Sequence, residues 1–431
     1  MKSEPLNVLV VYATLSHPIR TTIEDHLRAF ERAGHRTFYL NVMVRRPPRW
    51  LLRLDFDLIV YHTTFLAQRW VPRHFDKVRR RAAPIARLDA PKVALPQDEF
   101  LRTDDVADFV REAGVDVVAS VAPPAAWPVA YPTLDRDRVR LHQILTGYLD
   151  DTTVARIGHI VAGMRLRPID VGYRAWRAEP WLGRHGQLKA HIADAARAAA
   201  IRHGMSVDIS SAAGDQIIGD GWFRFLASCR STVGVEGGAS ICDRDGSVKA
   251  ATEAFLARHP AATFEEIEAN CFPGRDGELP LSVLSPRHLE ACATRTCQIL
   301  IEGEYNGVLR PGEHYLSVRR DLADLDDALR AAADPAVRAA ITEAAYRDVV
   351  ASGRWTYERM VADVVAAALG AAAHGGHETV ALRRAHRRAR AFERRTRGHV
   401  VVKGRALDMA VRTLGPAVRR SRRLRAMAMG R

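Results

Sequence analysis

Apolar residues run almost unbroken over positions 7–13, 37–41, 57–62, 92–95 and 115–121. Runs of this length without alternation predict strands of a parallel sheet, buried on both faces. Between them, residues 19–33, 71–86 and 104–113 place apolar side chains at helical spacing. Strand and helix therefore alternate, which predicts a doubly wound sheet with right-handed crossovers. A proline-rich stretch, Pro123 to Pro132, breaks the pattern, residues 139–151 carry no clear period, and a linker is expected near 150–165. The alternation then resumes. A strand at 169–174, helices at 187–203 and 223–228, a strand at 231–235, and an insertion over 244–282 lead to a helix from Ser285 to about Thr294 and a strand at 297–301. Three helical segments follow, at 325–333, 335–352 and 356–372. The expected fold class is α/β: two Rossmann-like doubly wound domains, residues 1–155 and 165–375.

In open sheets of this kind, ligands bind beyond the carboxyl ends of the strands. The polar residues there are the candidates for chemistry. In the first half they are His17 after the first strand, His62 after the third, and Asp98 within Gln97-Asp98-Glu99 after the fourth. Each is placed to take a proton from a hydroxyl, if reach and pKa allow. Otherwise Asp98 caps its loop and His62 is a hydrogen-bonded histidine at the sheet edge. The turn after the first strand lacks G-x-G-x-x-G, so no dinucleotide cofactor is expected. In the second half, Ser285 reads as an N-cap with Pro286 at the first helical position. Such a helix start attracts anions, and Glu290, one turn in, suits sugar hydroxyls. Glu236-Gly237-Gly238 and the segment holding Gly303 and Tyr305 close two further strands, where glycine lets backbone approach a ligand.

The stretch from Ser285 to Tyr315 resembles the donor-binding segment of GT-B glycosyltransferases, the group 1-type and spore-coat-protein-like enzymes. Ser285, Arg287, Glu290 and Ala291 carry the resemblance, and Glu236-Gly-Gly-Ala-Ser with Asp243-Arg-Asp-Gly is similar to the spore-coat branch. Ser282 stands where many relatives have a first glutamate, eight residues before Glu290. The resemblance implies two facing domains, the second binding a nucleotide-sugar and the first an acceptor. It also implies an arginine and a lysine on the donor diphosphate: Arg174 or Arg184, with Lys189. Fixed cations there stabilise the charge that develops on the leaving group. The implied activity is a hexosyltransferase without metal or cofactor, moving sugar from a nucleotide-sugar to a hydroxyl of a glycan, lipid or small molecule. The alternatives are a sugar-nucleotide epimerase on the same fold, or a binding protein working through its basic end.

Charge changes the picture only at that end. The chain has 64 Lys and Arg against 50 acids; residues 381–431 hold 17 against 2, which leaves 47 against 48 elsewhere. A neutral body argues against nucleic acid as the main partner. The 381–431 tail, set off by Gly375-Gly376, is expected to be separable and to touch anionic membrane. Five cysteines without a CxxC pair point to free thiols and no metal site. The apolar run near the N-terminus is too short for a signal peptide or a membrane span. A cytoplasmic protein, peripheral at the inner membrane face, is the expectation.

Overall fold

A computed structural model describes residues 5–15, 19–370 and 379–402. The first sheet holds β1 (Asn7–Tyr12), β2 (Arg36–Asn41), β3 (Leu58–Tyr61), β4 (Lys92–Ala94), β5 (Val117–Ser120) and β6 (Arg140–Gln143), in the order β2-β1-β3-β4-β5-β6 and all parallel. The second holds β7 (Ile169–Arg174), β8 (Val207–Ser210), β9 (Cys229–Gly234), β12 (Cys297–Ile301) and β13 (Leu316–Val318), in the order β8-β7-β9-β12-β13 and again parallel. A short antiparallel ribbon, β10 (Gly237–Ala239) with β11 (Leu281–Val283), stands apart from both. This is the α/β layout of two doubly wound sheets expected above. Each sheet reverses direction between its first and third strands, so the two switch points lie at the ends of β1 and β3 and of β7 and β9. Crevices form there.

Several elements differ from the sequence reading. β6, β8 and β13 were not anticipated, because each is a short and partly polar edge strand with no long apolar run. The expected linker is a helix, Asp151–Ala162, whose Ile157 packs with Phe223 and Leu289 of the second domain. The helix expected from 187 starts at Gly183 and runs to Arg202, so Arg184 is helical rather than in a loop. After Trp355, whose carbonyl accepts from the Leu149 amide, the Tyr357–Leu369 helix crosses back onto the first sheet, burying Met360, Val361 and Val364 there.

The insertion is a bridge. Its Val248, Ile267 and Phe272 belong to the same apolar cluster as Phe100, Leu101 and Val106 of the first domain. Backbone bonds tie it down: the Asp243 amide donates to Phe100 at 2.8 Å, and the Arg102 amide to Asp243 at 2.6 Å. Trp181 packs edge-on against Trp70 and beside Phe100. The two domains therefore share one core on this side of the cleft.

The basic tail is not wholly separable. Gly375-Gly376 lie outside the described residues, but 380–402 are helical. Leu382 and Phe392 pack on the first domain, and Ala389, Thr396 and Val400 are buried. Glu393 accepts from the Tyr12 hydroxyl at 2.6 Å, and His386 lies 3.2 Å from the carbonyl of Thr37. β2 ends the first sheet, and this helix lies against it, as exposed strand edges require. Among the described residues, no helix is long and apolar enough to cross a membrane.

Candidate active site

Two adjoining cavities occupy the cleft between the switch points. The first, of ≈ 360 Å³, is framed by Arg20 and Thr22 of the first domain and by Arg174, Trp176, Trp222, Arg287 and Glu290 of the second. The second, of ≈ 250 Å³, is framed by His26, Thr63, Gln97 and Asp98 on one side and by Lys189, Gly237 and Gly238 on the other. Thr22, Trp176, Ser285 and Pro286 face both.

The Pro286–Ala293 helix starts at the junction of the cavities. Ser285 has extended N-cap dihedrals but makes no side-chain capping bond, so its hydroxyl is not committed to the helix. The buried His288 ring, 3.0 Å from Gln298 Oε1 in β12, pins the helix to the sheet. Arg287 Nη1 donates to the Arg174 carbonyl at 2.7 Å, and its guanidinium lies 6.0 Å from the Trp222 ring centre. Trp222 Nε1 in turn donates to Glu290 Oε2 at 2.7 Å, which leaves Oε1 for a ligand. Burial raises the Glu290 pKa, with Trp222 and Arg287 opposing the rise.

Lys189 and Asp98 meet across the second cavity. Burial, reinforced by Arg287, brings the Lys189 ammonium down to about 8, while Asp98 pulls the other way. The cleft raises the Asp98 pKa by desolvation, against the positive charges of Arg69 and Lys189. Asp98 sits at φ 54°, a left-handed backbone that non-glycine residues adopt only when held there. The holder is Arg69, which is fully buried. Its Nη2 donates to the carbonyls of Gln97 and Asp98, each at 2.6 Å, and its Nε to Leu101 at 2.8 Å. Nothing in the local sequence marks Arg69, since its partners are backbone carbonyls, which carry no sequence signal.

The neighbouring Glu99 is structural. It accepts from Ser120 Oγ, from the Tyr131 hydroxyl and from the amides of Val121 and Ala122. His62 is structural too, as the alternative reading had it. Its Nδ1 caps the next helix by accepting from the Thr64 amide at 3.1 Å, and the ring is buried. That bond puts the His62 proton on Nε2, which lies 2.8 Å from His26 Nδ1. His26 then carries its own proton on Nε2, a buried atom without a partner in a residue that lines the second cavity. Burial lowers the His26 pKa to about 4, so the ring is neutral near pH 7. His26 replaces His62 as the histidine of the cleft; it was missed because it lies inside an ordinary amphipathic helix. His17 lies outside the described residues.

Four donor-side candidates turn away from the cavities. Glu236 is buried and accepts from the Tyr305 amide at 2.7 Å. A Cβ on Gly303 would stand 2.3 Å from Glu236 Oε2, so that glycine makes room for the carboxylate rather than for a ligand. The Tyr305 hydroxyl donates to Ile301 at 2.6 Å inside the fold. Arg184 pairs with Glu265, Glu268 and Asp276 and stacks over Phe264, fastening the insertion. Arg174 does line the first cavity, yet its guanidinium is bound to Asp208 at 2.7 Å and lies over Phe225. Gly237 and Gly238 border the second cavity. Gly238 has φ 129°, and a Cβ there would be 1.9 Å from the Leu281 carbonyl, so the β10–β11 ribbon requires it. Among the described residues, one cluster has metal-ligand spacing, Glu313–His314–Asp348. It does not line the cleft, and its carboxylates are paired with Arg310 and Arg347.

No protein-family model and no curated protein matches the sequence. Solved structures with a similar chain path include HepE from Anabaena in complex with UDP-glucose, at 11% identity, 84% of this chain, 99% of that chain and a TM-score of 0.42. A glycosyltransferase from Rickettsia africae matches at 10% identity, 85% and 99% coverage and a TM-score of 0.41. Sucrose-phosphate synthase from Thermosynechococcus elongatus matches at 11% identity, 82% and 96% coverage and a TM-score of 0.42.

Proposed function

We propose that this protein is a glycosyltransferase that binds a nucleotide-sugar across its cleft and passes the sugar to an acceptor hydroxyl. The observation that carries this is the arrangement of charges along the cleft: Lys189 faces Asp98 across the second cavity, and Arg287 lines the adjoining first cavity. The nucleoside fits the first cavity, with Trp222 beside it and Glu290 Oε1 accepting from a ribose hydroxyl. The diphosphate then falls at the start of the Pro286–Ala293 helix, where backbone amides point at anions. Lys189 and Arg287 stand there to hold it. The sugar reaches into the second cavity, between Gly238 and Asp98.

In the transfer, the bond from the anomeric carbon to the diphosphate oxygen breaks, and its electron pair leaves with the diphosphate. Lys189 and Arg287 stabilise that charge, a role that fixed cations fill without a metal. The acceptor oxygen bonds to the anomeric carbon, and its proton goes to Asp98. A carboxylate with a raised pKa is the better proton acceptor near neutrality. His26 Nε2 offers a neutral donor to a sugar or acceptor oxygen in the same cavity. A hexose as the transferred sugar belongs to this reading.

A thermal-shift panel tests it, because a ligand of the native state raises apparent stability. Nucleoside diphosphates and their sugars are expected to raise Tm more than nucleosides do. If none of them does, the cleft is not a nucleotide-sugar site. Turnover of a sugar nucleotide without any acceptor would instead mark an epimerase.

A further inference from the structure

The described part of the tail builds a surface rather than a tether. Its inward stripe, half-buried at Leu382 and His386 and buried at Ala389, Glu393, Thr396 and Val400, recurs every three or four residues and faces the first domain. The opposite stripe is exposed and arginine-rich: Arg384, Arg387, Arg388, Arg390, Arg394 and Arg395. The helix carries a single acid, Glu393, which is buried against Tyr12. The outward face therefore holds cations without an acid of its own.

This face is continuous with a second basic element. Arg388 lies 4.8 Å over the ring of Trp50, and Phe392 packs edge-on against the same ring. Trp50 closes the segment Arg45-Arg46-Pro47-Pro48-Arg49, whose three arginines are exposed. Arg46 and Pro47 then share a surface hollow with Lys77, Arg80 and Arg81 of the Pro72–Ala86 helix. Arg81 also donates to the carbonyls of Val42 and Met43, which fixes the two segments together.

We infer that this composite face is a docking surface for an anionic lipid bilayer. Three observations favour a bilayer over nucleic acid. The helix lies flat along the first domain for about 35 Å, at 1.5 Å per residue, and so presents a plane rather than a reading head. Its exposed apolar residues, Val380 and Val402, stand at its two ends, where they can enter the headgroup layer. Residues 1–380 carry 47 basic against 48 acidic side chains, so the chain's excess of positive charge belongs to the tail that supplies this helix. The inference does not depend on the chemistry of the cleft.

The experiment uses the full chain, sedimented with phosphatidylcholine vesicles with and without phosphatidylglycerol. Binding is expected only with the anionic lipid and is expected to fade with salt. Reversing Arg384, Arg387, Arg394 and Arg395 to Glu should lower the vesicle partition coefficient by more than about a hundredfold. Reversing Arg111, Arg319, Arg330 and Arg354, which are exposed elsewhere, changes the net charge equally and should leave most of the binding. Circular dichroism and nucleotide affinity should be unchanged in both variants, so a failure here is separate from a failure of the cleft assignment. Equal loss in the two variants, binding to neutral vesicles, or tighter retention on a short DNA duplex than on anionic vesicles at equal salt would each overturn the inference.

Discussion

Lys189 and Asp98 come from different domains and face each other across one cavity, each shifting the ionisation of the other. The lysine is the residue with the sharper consequence. Its pKa near 8 places the loss of its charge just above neutrality. The protonated form is the one that attracts a diphosphate. Nucleoside diphosphate affinity is therefore expected to be full below pH 8 and to fall as pH rises through it. Lys189→Arg should bind without that fall, because guanidinium stays charged. Calorimetry across this pH range checks both, and a flat profile for the unsubstituted protein would remove Lys189 from the phosphate site.

Asp98→Asn is expected to lower turnover by about 10²–10⁴-fold, the usual cost of losing a general base. On the proposed acceptor-side role of the carboxylate, donor affinity should hardly move at acidic pH, where Lys189 keeps its charge with or without Asp98. Steady-state kinetics alongside donor calorimetry separate the two effects.

Arg69→Met should lower both stability and turnover. The arginine side chain bonds four backbone carbonyls from a fully buried position. Leaving buried acceptors unsatisfied costs about 1–3 kcal/mol each before the loop relaxes. A loss of about 3 kcal/mol overall in chemical denaturation is expected, with the Asp98 loop released. Wild-type stability would show that water replaces the guanidinium without cost.

Glu290→Gln is expected to weaken nucleotide binding by about 1.5–3 kcal/mol, the range for hydrogen bonds to charged groups. The bond from Trp222 Nε1 can persist to the amide oxygen, so the fold should be unaffected. Unchanged affinity would place the ribose elsewhere. Arg184→Ala serves as the contrast: it should leave nucleotide affinity alone, because its partners are Glu265, Glu268 and Asp276.

Truncation after residue 378 should cost stability, contrary to what the tail's composition suggests. It strips the helix from β2 and leaves the buried Tyr12 hydroxyl without Glu393. A Tm lowered by several degrees is expected, as about 1 kcal/mol corresponds to about 2–4 °C for large domains. An unchanged Tm would mean that the helix contributes no packing energy.

The sequence alone determined the two-sheet layout, because strands buried on both faces must be written as unbroken apolar runs. It also placed Asp98, Gly237, Gly238, Ser285, Arg287 and Glu290 at strand ends and a helix start that border the cleft, since those positions follow from chain order, while the family resemblance pointed to Lys189. Only tertiary structure decided which strand-end side chains turn inward. Glu236 and Tyr305 bond each other's loops across 69 residues. Arg184 is claimed by the insertion's acids, and His62 by a helix cap that passes its place in the cleft to His26. Arg69 and the 380–402 helix were hidden for the same reason. Their partners are backbone carbonyls and a sheet edge, groups that every segment possesses and that only the folded chain brings within reach.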